Sequence, residues 1–152
     1  MKEHYVSYEQ SQALKRLGFD WKCDHYYESK NRLYESTIYT QTFRVSEYWH
    51  NFNEDDQDRH RQPFNPYYSA PRLDRAAAWL REKGMFLMVD PRYYQGDAVK
   101  DVKWCFIVQS LDDISGQYRS ECCGRLFDSY ESALSAGIDK AFELLTDNQN
   151  GK

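Results

Sequence analysis

The chain's four cysteines and four histidines are its residues with the widest chemical reach. Cys23 and His25 stand close together in "WKCDHYYE", at a spacing that puts a thiolate and an imidazole on the same side of an extended strand. Cys122 and Cys123 stand adjacent much later. If the two segments met, their sulfur and nitrogen donors would suffice for a zinc site. Against this, the chain has no C-x-x-C pair, adjacent cysteines on a strand point to opposite faces, and thiols are common core residues. The cysteines, Cys105 included, also combine with His4, His25, His50 and His60 as material for a Cys–His nucleophile and base. No G-x-S-x-G, H-E-x-x-H or P-loop pattern accompanies them. The expectation is therefore no metal, no cofactor, no catalytic residue and reduced thiols.

Arginine and tyrosine offer a different chemistry. Arg59, Arg61, Arg72, Arg75, Arg81 and Arg92 gather around the doublets Tyr67-Tyr68 and Tyr93-Tyr94, and a further doublet occurs at Tyr26-Tyr27. Arginine beside tyrosine can hold a phosphate and stack a base. The same residue types are enriched at the energetic centres of protein interfaces. The formal net charge of −4 argues against a general grip on nucleic acid, and Asp74, Glu82 and Asp90 dilute the basic patch. The candidate binding surface comprises Tyr26, Tyr67, Tyr68, Arg72, Arg75, Tyr93 and Tyr94. The favoured reading is an interaction protein that binds a protein partner or a second copy of itself. The alternative is a nucleotide- or nucleic-acid-binding protein, or a small enzyme, using the Arg/Tyr surface around a helix at 71–83.

These side chains need elements to position them. "SYEQ" at Ser7 to Gln10 is a capping box that starts a helix, and Gly18 ends it. "WKCDHYYE" alternates as a strand. "SKN" at 29–31 suits a turn, and "RLYESTIYTQTFRV" suits one returning strand. Alternation with Trp21 and Cys23 turns Tyr27 inward and Tyr26 outward. Residues near 50–70 break every pattern and read as a long loop, whose return Tyr67-Tyr68 should fix.

Pro71 opens a second helix. Leu73, Ala76, Ala77 and Leu80 are its buried stripe, Trp79 is on its flank, and Gly84 closes it. "MFLMVD" has the continuous apolar character of a central strand. "VKWCFIVQSL" is a second such strand and "QYRSECCGRLF" a third strand, with Tyr93-Tyr94 on the rim. A third helix starts at Asp128 or Ser129, with Tyr130, Leu134, Gly137, Ile138, Ala141 and Leu145 on one face. Gly137 there implies close contact with a sheet.

The fold class is α+β: a single domain over 1–147, an antiparallel sheet with about three helices packed mainly on one face, and a frayed tail at 148–152. Leu80, Phe86, Ile107 and Ile138 should be buried together. With 152 residues, 41% of them hydrophobic, the chain is long enough to bury a core without disulfides. "MKEHYVSYEQ" has no apolar signal region and no stretch approaches a membrane span, so a cytoplasmic setting is expected.

"YVSYEQSQALKRLGF", "SAPRLDRAAAWLREKGMFLMVD" and "FDSYESALSAGIDKAFELL", together about half the chain, resemble a group of uncharacterised small proteins of Bacteroidetes-type bacteria and their phages and mobile elements. The resemblance implies a phage or mobile-element setting. It carries no functional residues with it, because the shared stretches are a cap, a helix-to-strand corner and an amphipathic helix.

Overall fold

The computed structural model describes residues 4–30, 32–35, 37–39, 44–46, 51–53, 67–93, 102–111, 118–122 and 124–150. The architecture is α+β, with three helices and antiparallel sheets among the described residues. The elements are α1 (Tyr8–Arg16), β1 (His25–Ser29), β2 (Arg32–Glu35), β3 (Thr37–Tyr39), β4 (Arg44–Ser46), β5 (Tyr68–Ser69), α2 (Leu73–Glu82), β6 (Met85–Arg92), β7 (Lys103–Leu111), β8 (Tyr118–Cys122) and α3 (Tyr130–Asn150). Instead of one sheet there are three among the described residues, ordered β2-β1-β5, β3-β4 and β6-β7-β8. The chain divides into two compact units, Met1–Arg72 and Leu73–Lys152.

In the first unit, α1 begins with the capping box read from the sequence. The Ser7 hydroxyl accepts from the Gln10 N–H at 3.1 Å, and the Gln10 side chain accepts from the Ser7 N–H at 3.0 Å. Gly18, at φ +81, supplies the left-handed residue past the helix end. Val6, Leu14 and Phe19 are buried. The predicted hairpin forms as β1–β2, with Tyr26 opposite Tyr34 and Tyr27 opposite Leu33. A bulge between Tyr27 and Ser29 ends the regular register.

The predicted single returning strand is divided. Its second half forms a separate hairpin, β3–β4, pairing Ile38 with Val45. β-Branched residues favour both halves as strands, but "TQTF" between them holds none of the Gly, Pro, Asn or Asp residues that announce a turn. Part of the predicted loop near 50–70 is ordered pairing. Tyr68 and Ser69 form β5 and add antiparallel to the other side of β1. Pro71 precedes α2, and its carbonyl accepts from the Val6 N–H at 3.0 Å.

In the second unit, α2 buries Leu73, Ala76, Trp79 and Leu80. Trp79 is 1% exposed, so it belongs to the core and not the flank, whereas Ala77 is only half-buried. Gly84, at φ +79, makes the tight corner into β6. β7 takes the centre, as read for "VKWCFIVQSL", but among the described residues β6 lies at an edge, contrary to the reading of "MFLMVD" as a central strand. Pro91 within β6 is compatible with an edge, because proline cannot complete the ladder of a central strand.

Register assigns the two sheet faces. Leu87 pairs with Val108, and Val89 with Phe106. The alternate positions carry Phe86, Met88 and Ile107. Gly137 of α3 lies against Leu87 and Phe106, which identifies the helix-covered face. Leu80 and Ile138 are buried as expected, but Phe86 and Ile107 are half-buried on the opposite face and do not join them. A continuous apolar run hides which half of its residues points inward. α3 starts behind Ser129, whose hydroxyl accepts from the Ser132 N–H at 3.1 Å, and continues through Asn150, beyond the predicted end. Tyr130, predicted for its buried face, is exposed.

Candidate functional site

The β2-β1-β5 sheet sorts the tyrosine doublets onto its two faces. Antiparallel pairing puts Tyr27 opposite Tyr68 and Tyr26 opposite Ser69. Side-chain alternation then gives one face to Tyr27 and Tyr68 and the other to Tyr26, Tyr34 and Tyr67.

The Tyr27 face is closed by α1. Tyr8 meets the Tyr27 and Tyr68 rings edge-on, at 5.7 Å and 5.5 Å between centroids. The Tyr27 hydroxyl donates to the Val6 carbonyl at 3.0 Å. Lys15 Nζ sits 5.0 Å from the centre of the Tyr68 ring and donates to the Tyr67 carbonyl at 3.0 Å. The ion pair of Lys30 and Glu9, at 2.9 Å, joins the β1–β2 end to α1. It raises the lysine pKa and lowers the glutamate pKa. Tyr68, a predicted binding residue, therefore packs beneath the helix.

The Tyr26 face is different. Tyr26 stacks on Tyr34 at 5.3 Å with 12° between the planes, and on Phe52 at 4.5 Å with 23°. Tyr67 meets Tyr26 edge-on at 5.2 Å. The Arg32 guanidinium lies 4.6 Å from the centre of the Tyr34 ring. All four rings are half-buried, and Arg32 and Glu28 beside them are exposed. Partial burial raises the pKa of Tyr26 and of Tyr67. The Tyr67 and Glu28 charges raise Tyr26 further, and the Glu28 charge raises Tyr67 further.

Phe52 reaches this face through a polar clasp. The Ser69 hydroxyl accepts from the Phe52 N–H at 3.0 Å, and Asn53 Oδ1 accepts from the Ser69 N–H at 2.9 Å. Asn53 Nδ2 donates to the Phe19 carbonyl at 2.9 Å, and Asn51 Oδ1 accepts from the Asn53 N–H at 3.1 Å. Asn51 and Ser69 are buried. Sequence reasoning missed Tyr34, Phe52, Arg32 and Glu28. Tyr34 and Arg32 carried a signal, since the hairpin that the sequence did predict places them beside Tyr26. Phe52 carried none, because its position depends on a contact between segments far apart in sequence.

Of the four remaining predicted residues, Arg72, Arg75 and Tyr93 are described. Arg72 is in the first unit and bridges Tyr5 across an isolated antiparallel pair. Arg75 and Tyr93 are in the second unit. Arg75 is half-buried on α2, and Tyr93 is 71% exposed after β6. Tyr94 lies outside the described residues.

Of the candidate thiols and imidazoles, the side chains of His4, Cys23, His25 and Cys105 are described, while His50 and His60 lie outside the described residues. Cys23 is fully buried, with its Sγ 3.7 Å from the Trp21 carbonyl, and a bend at Asp24 separates it from β1. His25 Nδ1 lies 3.2 Å from Asp24 Oδ1 without forming a hydrogen bond, and its ring packs on Tyr5 at 4.1 Å. Neither Cys23 nor Cys105 is in a disulfide. The Cys122 and Cys123 side chains lie outside the described residues. Among the described residues, no group of three or more His, Cys, Asp or Glu side chains is placed to hold a metal ion. No helix among them is long and apolar enough to cross a membrane. Comparison with protein-family models, curated proteins and solved structures gives no match.

Proposed function

We propose that the chain is a binding module that engages a protein surface through the Tyr26 face of the β2-β1-β5 sheet. One observation supports this above others. Tyr34, Tyr26 and Phe52 form a stacked column, with Arg32 on the outer face of Tyr34. The flat faces of the inner rings are used by one another. The column offers a partner its ring edges, its phenol hydroxyls and the exposed charges of Glu28 and Arg32. Base stacking needs a free aromatic face, whereas a protein interface uses rigid amphipathic rings with hydroxyls. The column therefore suits a protein better than a nucleotide. The cytoplasmic, phage or mobile-element setting is part of this proposal, its origin carried by the sequence resemblance alone.

A photo-crosslinking side chain in place of Glu28 tests the reading in cells, with Asp74, exposed on α2, as the control position. The expected result is protease-sensitive, nuclease-resistant adducts from position 28 that are absent from position 74. Nuclease-sensitive adducts, or none, overturn it. A nucleotide panel supplies the independent check. A ligand bound only to the folded chain, at a hundred times its Kd, adds about 2.7 kcal/mol of stability. A nucleotide that gave such a shift, and lost it in Tyr34→Ala, would also overturn the reading.

A further inference from the structure

We infer that the partner on the Tyr26 face is a second copy of the same chain, in a two-fold contact that sets Arg32 of each copy against Glu28 of the other. The inference rests on the reading of this face as a protein-binding surface and specifies its occupant.

Both charges are exposed on the same face as the ring column. Arg32 stands over Tyr34, and the Glu28 charge acts on Tyr26 and Tyr67. The bulge after Tyr27 brings Glu28 and Ser29 together opposite Arg32, so the opposite charges occupy one end of the patch. Yet they do not pair with each other. The guanidinium is turned onto the Tyr34 ring, and neither side chain has an ion-pair partner among the described residues. Glu9 and Lys30 nearby satisfy one another and leave this pair untouched.

A two-fold interface is self-complementary, because the same patch meets itself reversed. Such a patch must carry both members of every charge pair it forms, with an apolar centre that gains from burial. The Tyr26 face has both properties: one free acid and one free base beside half-buried rings. Rotation about an axis between the two charges presents Glu28 to Arg32 twice, and it buries the ring edges beside them.

Charge reversal is the test, read by sedimentation over a series from micromolar to millimolar chain. The unaltered protein should dimerise, and added salt should weaken the dimer. Arg32→Glu sets two acids against two acids, and Glu28→Arg two bases against two bases. Each should raise the dimer dissociation constant by at least about tenfold. The Glu28→Arg/Arg32→Glu double variant restores both pairs and should return to within about threefold of the parent. Both positions are exposed, so circular dichroism should show folded chains throughout.

A monomer at every concentration overturns the inference. So does a dimer that the single reversals leave unchanged or that the double variant does not restore. A monomer whose position-28 crosslinks still join it to another protein would sink the second copy alone. A monomer with nuclease-sensitive crosslinks would sink the protein-binding reading as well.

Discussion

Tyr27 and Tyr68 face each other across the β1–β5 pair, with the Tyr8 ring edge-on to both. This pairing directs Tyr27 toward α1 and its neighbour Tyr26 away from it. Tyr27→Phe removes the hydrogen bond to the Val6 carbonyl and should destabilise the protein by about 1 kcal/mol in denaturant titrations. Tyr27→Ala also removes a half-buried ring. It should cost on the order of 2 kcal/mol, below the range for a fully enclosed aromatic. A loss under about 0.5 kcal/mol for the alanine variant would mean that α1 does not depend on this ring.

The second unit has one apolar sheet face under helices and another that is partly open. Leu80→Ala, at a fully buried position, should cost about 2–5 kcal/mol. Met88→Ala, 42% exposed on the other face, should cost under about 0.5 kcal/mol. Equal losses in thermal unfolding would contradict the assignment of faces.

Gly137 is a contact point where the helix meets the sheet without a side chain between them. A Cβ there would overlap Leu87 Cδ1 and lie 3.2 Å from Phe106 Cβ. Gly137→Ala gains helix propensity but overfills the contact, and it should destabilise by about 1–2 kcal/mol. In a Leu87→Ala background the first clash is gone, and the same change should cost close to nothing. The double-mutant cycle reports this coupling directly, and additive losses would refute the contact.

Asn53 joins three segments with one side chain. Asn53→Ala strips the acceptor from the Ser69 N–H and the donor from the Phe19 carbonyl. Ser69 is fully buried, so the loss should be about 2 kcal/mol. Amide exchange should become faster at Ser69 if this account holds, and an unchanged rate would count against it.

Tyr26, Tyr27 and Tyr67 all have pKa values raised above 10.0, first through burial. The folded state then holds its phenol protons where the unfolded chain begins to lose them. Their contribution to stability is complete below pH 10 and is lost as pH rises through the folded values. Denaturation midpoints should fall above about pH 10. Tyr26→Phe should flatten that decline. A midpoint that rose with pH in this range would reverse the assigned sign.

Local rules made part of this architecture legible. Ser7 and Gln10 announced α1, Gly18 and Gly84 marked two ends, and Gly137 on an apolar stripe foretold a close approach. Alternation also separated Tyr26 from Tyr27. The β3–β4 hairpin was hidden because its connecting residues lack turn chemistry. Phe86 and Ile107 were misplaced because an uninterrupted apolar run has no visible inside. Pro91 could have identified β6 as an edge. The candidate site was half legible, since its rings come from one predicted hairpin and from a segment held by Asn53, a contact that no local pattern encodes.

The clasp around Ser69 bears on the order in which the chain folds. Lys15 reaches the Tyr67 carbonyl across 52 positions, and Asn53 reaches the Phe19 carbonyl across 34. Strands β6, β7 and β8 instead follow one another as sequential neighbours. Closing a long loop costs entropy before any contact repays it, so distant pairings form slowly. The β6–β7–β8 meander should therefore acquire protected amides first in pulse-labelled refolding, and β5 should lock onto β1 last. Among these elements, the Tyr26 column is completed only in that final step.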